Sequence, residues 1–274
     1  MPPPAVKRTR LVASLALAMI VALVGLGAQT LFRDSFGNLS YDSLHSLAER
    51  NFDDSRVVIV YLDIASFLAE HRDPAERWPR DLHARLLNQL TSAGAKAVIF
   101  DIIFDSPGGS SSADAEFTEA LRRNGRCILA GDHSSKNSHQ ISSGAEWARL
   151  TKLQPPAEEF ADAAADWGIA QLWVDDDFVV RRHIGRFQTD HATSLSAAAA
   201  RMLGIPPAQP PSGVLWMRYY GPALTIPHVS YSEALNPREL PENFFRDKIV
   251  FIGARPIEGL MDERRDEFRS PFHS

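Results

Sequence analysis

From Leu11 to Ala28 the chain reads LVASLALAMIVALVGLGA, without a charge, and Gln29, Thr30, Leu31 and Phe32 extend the run. At about 1.5 Å of rise per residue, a helix of this length crosses the roughly 30 Å hydrocarbon core of a bilayer. Lys7, Arg8 and Arg10 precede it, and only Arg33 follows before Asp34. The positive-inside bias therefore leaves residues 1–10 in the cytoplasm, makes 11–32 a transmembrane helix, and exports 33–274. A cleaved signal peptide is the rival reading, because Gly25 and Gly27 are small residues at cleavage spacing, although the run exceeds the ~7–15 residues of a signal core.

Beyond the apolar run, NLSYDSLHSLAERNF brings Leu39, Leu44 and Leu47 near one helical face. RVVIVYLD is then a continuous β-branched strand of the kind buried on both faces of a parallel sheet. A helix is predicted from Pro79, with Leu82, Leu86, Leu87 and Leu90 on one stripe and Gly94 as its stop, and AKAVIFDII follows as a strand. Strand, helix, strand makes a βαβ crossover. The pattern repeats with Ser112 as N-cap, Phe117, Ala120 and Leu121 facing inward, Asn124-Gly125 as the stop, and RCILA as strand.

Residues 132–150 read as an exposed loop, and QPPAEEFADAAADWG starts a further helix. GIAQLWV and FVVRRHIGRF flank Asp175-Asp176-Asp177 as a β-hairpin. SLSAAAARMLG is a helix, GVLWMRYYG and DKIVFIGA are strands, and a short helix is expected near Ser232–Leu235. The expected fold is α/β: a mainly parallel, partly mixed central sheet flanked by helices, preceded by one N-terminal transmembrane helix.

Charge narrows the partners. The first 32 residues hold three of the 29 Lys and Arg and none of the 34 Asp and Glu, so the exported part carries a formal −8. That balance argues against nucleic acid or an anionic membrane surface. Cys127 is the single cysteine, so no intrachain disulfide forms, and it reads as a small core residue.

The chemistry to explain is two carboxylates in strand-like runs. Asp63 ends VVIVYLD and Asp101 ends AVIFD, so two neighbouring parallel strands would deliver two acids to the C-terminal edge of the sheet, where ligands of open α/β folds collect. Such a pair suits a divalent cation or acid–base work. Yet Ala65 stands where a phosphatase's second acid would be, and GxSxG, GxxxxGK[ST] and HExxH motifs and metal-spaced Cys or His clusters are missing. Capping of the following turn explains both acids equally well, and Asp105 in DSPGG better still. Arg77 and Arg80 of RWPRD either bind an anion or pair with Asp63 and Asp101, while Trp78 plugs the sheet end. Of Arg181 and Arg182, alternation lets at most one face the core.

The ordered set VVIVYLDIAS, RWPRDLHARLLNQLTSAGAKAVIFDIIFDSP, DDDFVVRR, RYYGP, FFRDKIVFIGA and GLMDERRDEFRSPF resembles the CHASE domain of the second type, the extracytoplasmic sensor of bacterial transmembrane receptors. The resemblance spans about Tyr41 to Phe272, and Asp63, Ser66, Trp78, Pro79, Arg80, His83, Asp101, Phe104, Arg181, Gly253, Asp262 and Pro271 match its pattern. It implies an uncleaved anchor, further membrane helices after the sensor, and a cytoplasmic effector such as an adenylate or guanylate cyclase, a histidine kinase, a diguanylate cyclase or a Ser/Thr kinase. These 274 residues contain neither the later helices nor an effector, which suggests a fragment or a degenerate receptor. The family turn has Asp-Gly before Val-Val-Arg, whereas Phe178 stands here.

The expectation is therefore a periplasmic signal-sensing domain, not an enzyme, held to the inner membrane by one helix. Asp63, Ser66, Trp78, Arg80, Asp101, Arg181 and Asp262 are its sensing or conformational residues, with no catalytic residue, metal or cofactor. Its partners would be an unknown small-molecule or envelope signal and a second copy in a homodimer. An exported metal-dependent hydrolase using Asp63 and Asp101, or a structural dimerisation module, are the alternatives.

Overall fold

A computed structural model describes residues 4–31, 33–47, 56–134, 152–186, 192–206, 214–255 and 268–272. The chain divides into two compact units, Met1–Glu49 and Arg50–His273. In the first, α1 (Pro4–Leu31) and α2 (Arg33–Leu47) are helical, so α2 starts earlier than its leucine pattern suggested. Leu39, Leu44 and Leu47 are exposed, as are Leu15, Leu17, Met19, Ile20, Val21, Leu23, Val24 and Leu26 of α1. Among the described residues no helix is long and apolar enough to cross a membrane.

In the second unit the first crossover is β1 (Val57–Leu62), α4 (Arg80–Ser92) and β2 (Ala97–Ile103), with a short α3 (Ile64–Ala69) after β1. Pro79 is the N-cap of α4, and Gly94 turns the chain out of it at φ 76°, a left-handed conformation that glycine adopts without a Cβ clash. α5 (Ser111–Asn124) is capped by Ser110 rather than Ser112, and Gly125 closes it at φ 62° before β3 (Cys127–Ser134). Then come β4 (Lys152–Gln154), α6 (Glu158–Ala161), β5 (Asp166–Ile169), β6 (Arg182–Ile184) and α7 (Leu195–Met202). β7 (Val214–Trp216), β8 (His228–Ser230), α8 (Tyr231–Leu235) and β9 (Ile249–Ala254) complete the unit.

The main sheet runs β4-β3-β2-β9-β1-β8, with β5 also on β3. Each pairing is parallel except β3 with β4. The chain is thus α/β with a mostly parallel central sheet flanked by helices.

Three expectations need correction. β1 and β2 are not neighbours, because β9 lies between them with Tyr61, Gly253 and Asp101 in one row. IVFIGA suits that place: Val250 and Ile252 are fully buried, as a central strand demands. The GIAQLWV–FVVRRHIG hairpin is shorter than expected. Residues 166–169 join β3, while β6 pairs with β7 in a separate ribbon and Trp173 bridges to Arg182. GVLWMRYYG therefore supplies no strand to the main sheet. The turn itself is present, Asp175 N–H donating to Val179 O at 3.0 Å.

One sheet face buries Val60, Phe100, Leu129 and Ile252 under Leu86, Leu87 and Leu90 of α4 and Phe117 and Leu121 of α5. The other packs Ile99, Ile128 and Ala130 against Leu195, Ala198 and Ala199 of α7. Cys127 belongs to the first core, fully buried, and burial pushes its thiol far above the usual range, so it behaves as the small apolar residue expected.

Candidate functional site

The chain leaves β1 at Asp63, and a carboxylate there is the residue type that starts a helix. One oxygen, Oδ1, accepts from the Ser66 N–H at 3.0 Å, the Ser66 hydroxyl at 2.6 Å and the Ser230 hydroxyl at 2.8 Å. Ser66 is fully buried, and its Oγ also accepts from the Ser232 N–H at 3.3 Å. Asp63 and Ser66 therefore bind the turn after β1 to the turn after β8. Ser230 closes a capping box there, its own N–H donating to Glu233 at 2.7 Å.

Tyr231 carries this tie inward. Trp78 is 7% exposed and meets the ring of Phe67 at 4.9 Å and that of Tyr231 at 5.3 Å, both edge to face, so it plugs the sheet end as expected. The Tyr231 hydroxyl and His83 Nδ1 share a 2.8 Å hydrogen bond. His83 is enclosed by Phe100, Phe104, Phe117 and Tyr231. Burial first, and the nearby Arg80 charge second, push its pKa down to about 3, so the ring is neutral. Burial likewise raises the Tyr231 hydroxyl well above its usual value.

Arg80, the first residue of α4, is 7% exposed and lies over the Phe104 ring at 4.5 Å. Its Nη2 donates to Ser106 O at 3.3 Å, and its Nε has no hydrogen-bond partner. The nearest carboxylate is Asp114 of α5, 3.9 Å from Nε, and both oxygens of that group accept from the Gly108 N–H at 3.0 Å. Neither Arg80 nor Arg77 pairs with Asp63 or Asp101, since Arg77 donates to the Ser106 hydroxyl at 3.2 Å. Desolvation lowers the pKa of Arg80 more than Asp114 restores it.

Asp101 is placed apart from this group. The β2–β3 register slips between Phe100 and Ile103, so Asp101 sits in a bulge, exposed, on the sheet face opposite Phe100. With β9 intervening and Asp63 held by three donors, the two acids do not form the facing pair that cation binding or acid–base chemistry required. Among the described residues no group of three His, Cys, Asp or Glu could hold a metal ion. Asp105 belongs to the turn, accepting from the Ser106 hydroxyl at 2.9 Å and from Gln154.

Arg181 lies elsewhere, on the ribbon. It is 2% exposed and donates to Asp175 at 3.0 Å and in a fork to Asp177 at 2.8 and 2.7 Å. The guanidinium holds Asp177 below the usual carboxylate range, and burial pushes Tyr219, beside it, up to about 12. Asp175 and Asp177 thus clamp a buried arginine across the turn, and Arg182, partly buried, donates to the other oxygen of the same Asp175 carboxylate, so the two arginines converge on one acid instead of parting to opposite sides. Asp262 lies outside the described residues.

Sequence reasoning missed Ser230, Tyr231 and Asp114. Ser230-x-x-Glu233 is a capping-box spacing that could have placed the first two. An acid such as Asp114 in a first helical turn is already favoured by the helix dipole and gives no further signal, whereas here it accepts from Gly108 N–H and stands 3.9 Å from Arg80 Nε.

The family model described as the CHASE2 domain matches residues 15–273, nearly the whole chain. No curated protein and no solved structure matches the chain.

Proposed function

This chain belongs to the CHASE2 family of extracellular sensor domains, and on that premise we propose that it is the periplasmic signal-sensing part of a bacterial transmembrane receptor. The family match over nearly the whole chain carries this reading. The polar side chains gathered at the C-terminal sheet edge, Asp63 with Ser66, His83 with Tyr231, and Arg80, support it, because polar groups are costly to bury. Stimulus would shift the population between two arrangements of that edge, which requires different affinity for each. The effector it would drive is one of the cyclases or kinases of such receptors.

Residues 11–32 would be the anchor, and the charge-free run and the exposed apolar side chains of α1 support this. Exposed Leu39, Leu44 and Leu47 of α2 support a homodimer. Thermal-shift measurements on the full chain in detergent, against small metabolites and ions, test the sensor reading. A ligand-dependent rise in Tm is expected. Metal-dependent turnover of phosphate esters would favour the hydrolase instead, and a stable dimer indifferent to every ligand would favour a purely structural module.

A further inference from the structure

A cleft of about 350 Å³ opens between the starts of α4 and α5, lined among others by Arg80, Asp81, Gly108, Ser110, Ser112 and Glu116. Its size falls at the low end of small-ligand sites. Two helices of 13 and 14 residues begin there, each with first-turn N–H groups to satisfy. Pro79 gives α4 no side-chain cap, and the Ser110 hydroxyl reaches Ala113 N–H only at 3.4 Å.

Arg80 adds an independent demand. Of its five guanidinium donors only one on Nη2 is hydrogen-bonded among the described residues, and Nε, in a side chain 7% exposed, has no partner. Asp114 is too far for a hydrogen bond and is already occupied by Gly108. Nε is the one guanidinium nitrogen both buried and unpartnered, while Nη1, unpartnered but not buried, is the donor an incoming carboxylate would meet, adding charge that offsets the cost of burying the cation. The same cleft, however, carries Asp81 and Glu116. They oppose a multiply charged anion such as phosphate and favour a ligand with a positive group beside its single negative one.

We infer that this cleft binds a small zwitterion, an α-amino acid in the simplest case, its carboxylate toward Arg80 and the α4 start and its ammonium toward Asp81 and Glu116. The inference rests on the sensor reading and names the chemical class of its ligand.

The test is thermal shift of the full chain in detergent against the common L-amino acids singly, with the N-acetyl and amide forms of any that binds, and inorganic phosphate. At a hundredfold excess over Kd at least one amino acid should raise Tm by about 8 °C, and both blocked forms should not. Glu116→Gln, on an exposed side chain, should weaken binding about fivefold with the Tm of the unliganded protein unchanged. Arg80→Gln should abolish the shift. A shift by phosphate alone, by no amino acid, or one indifferent to Glu116→Gln would overturn the inference. If Arg80→Gln nonetheless changed the output of an intact receptor, the ligand class would be wrong while the sensor reading stood.

Discussion

Replacing Asp63 separates a structural tie from a ligand-bearing acid. In Asp63→Ala the α3 N-cap goes, which costs about 1 kcal/mol. The Ser66 and Ser230 hydroxyls also lose a charged acceptor at 2.6 and 2.8 Å, and Ser66 is fully buried, so about 2 kcal/mol more should be lost. The total of about 3 kcal/mol corresponds to a fall in Tm of about 9 °C for a unit of this size. Asp63→Asn keeps an oxygen at the same point and an equally good cap, losing only the charge assistance, so it should cost about 1 kcal/mol. Urea unfolding of the two variants, followed by tryptophan fluorescence, gives both numbers. Asparagine as damaging as alanine, or alanine costing under about 0.5 kcal/mol, would refute the tie between the β1 and β8 turns.

Phe178 stands at φ 63° with 73% of its surface exposed, so Phe178→Gly should relieve left-handed strain, gaining about 1 kcal/mol in the same unfolding assay. A Cβ on Gly108 would lie 2.6 Å from Arg80 Cγ and 2.9 Å from Asp114 Oδ1, so Gly108→Ala should cost about 2 kcal/mol. His83 has a folded pKa of about 3, below its unfolded value near 6.5. The unfolded state therefore binds the extra proton, and stability is full above about pH 6.5 and falls as pH drops toward 3. Chemical denaturation at stepped pH should show this slope, and His83→Gln should flatten it.

The central strands β1, β2, β3 and β9 were legible because they are unbroken apolar runs, and α4 and α5 because they carry helix-end signals and apolar stripes at helical spacing. Strand order was not. β9 enters between β1 and β2 from nearly 150 residues downstream, and periodicity says nothing about which distant strand pairs where. That one insertion undid the expected facing of Asp63 and Asp101. β8 and α3 escaped because three and six residues give no readable period. Trp78 and Arg80 stood out in RWPRD, an aromatic and two cations around a proline, whereas Ser66 was found only through the family resemblance. Asp114 hid because an acid in a first helical turn needs no further explanation.

The most direct test of the sensor role is the reporter output of an intact receptor carrying this chain as its periplasmic part, comparing wild type with Trp78→Phe and Arg80→Gln at equal membrane levels. The sensor reading predicts that the proteins accumulate normally and that at least Arg80→Gln shifts the output or its response to stimulus. Unchanged output and response in both variants would contradict it.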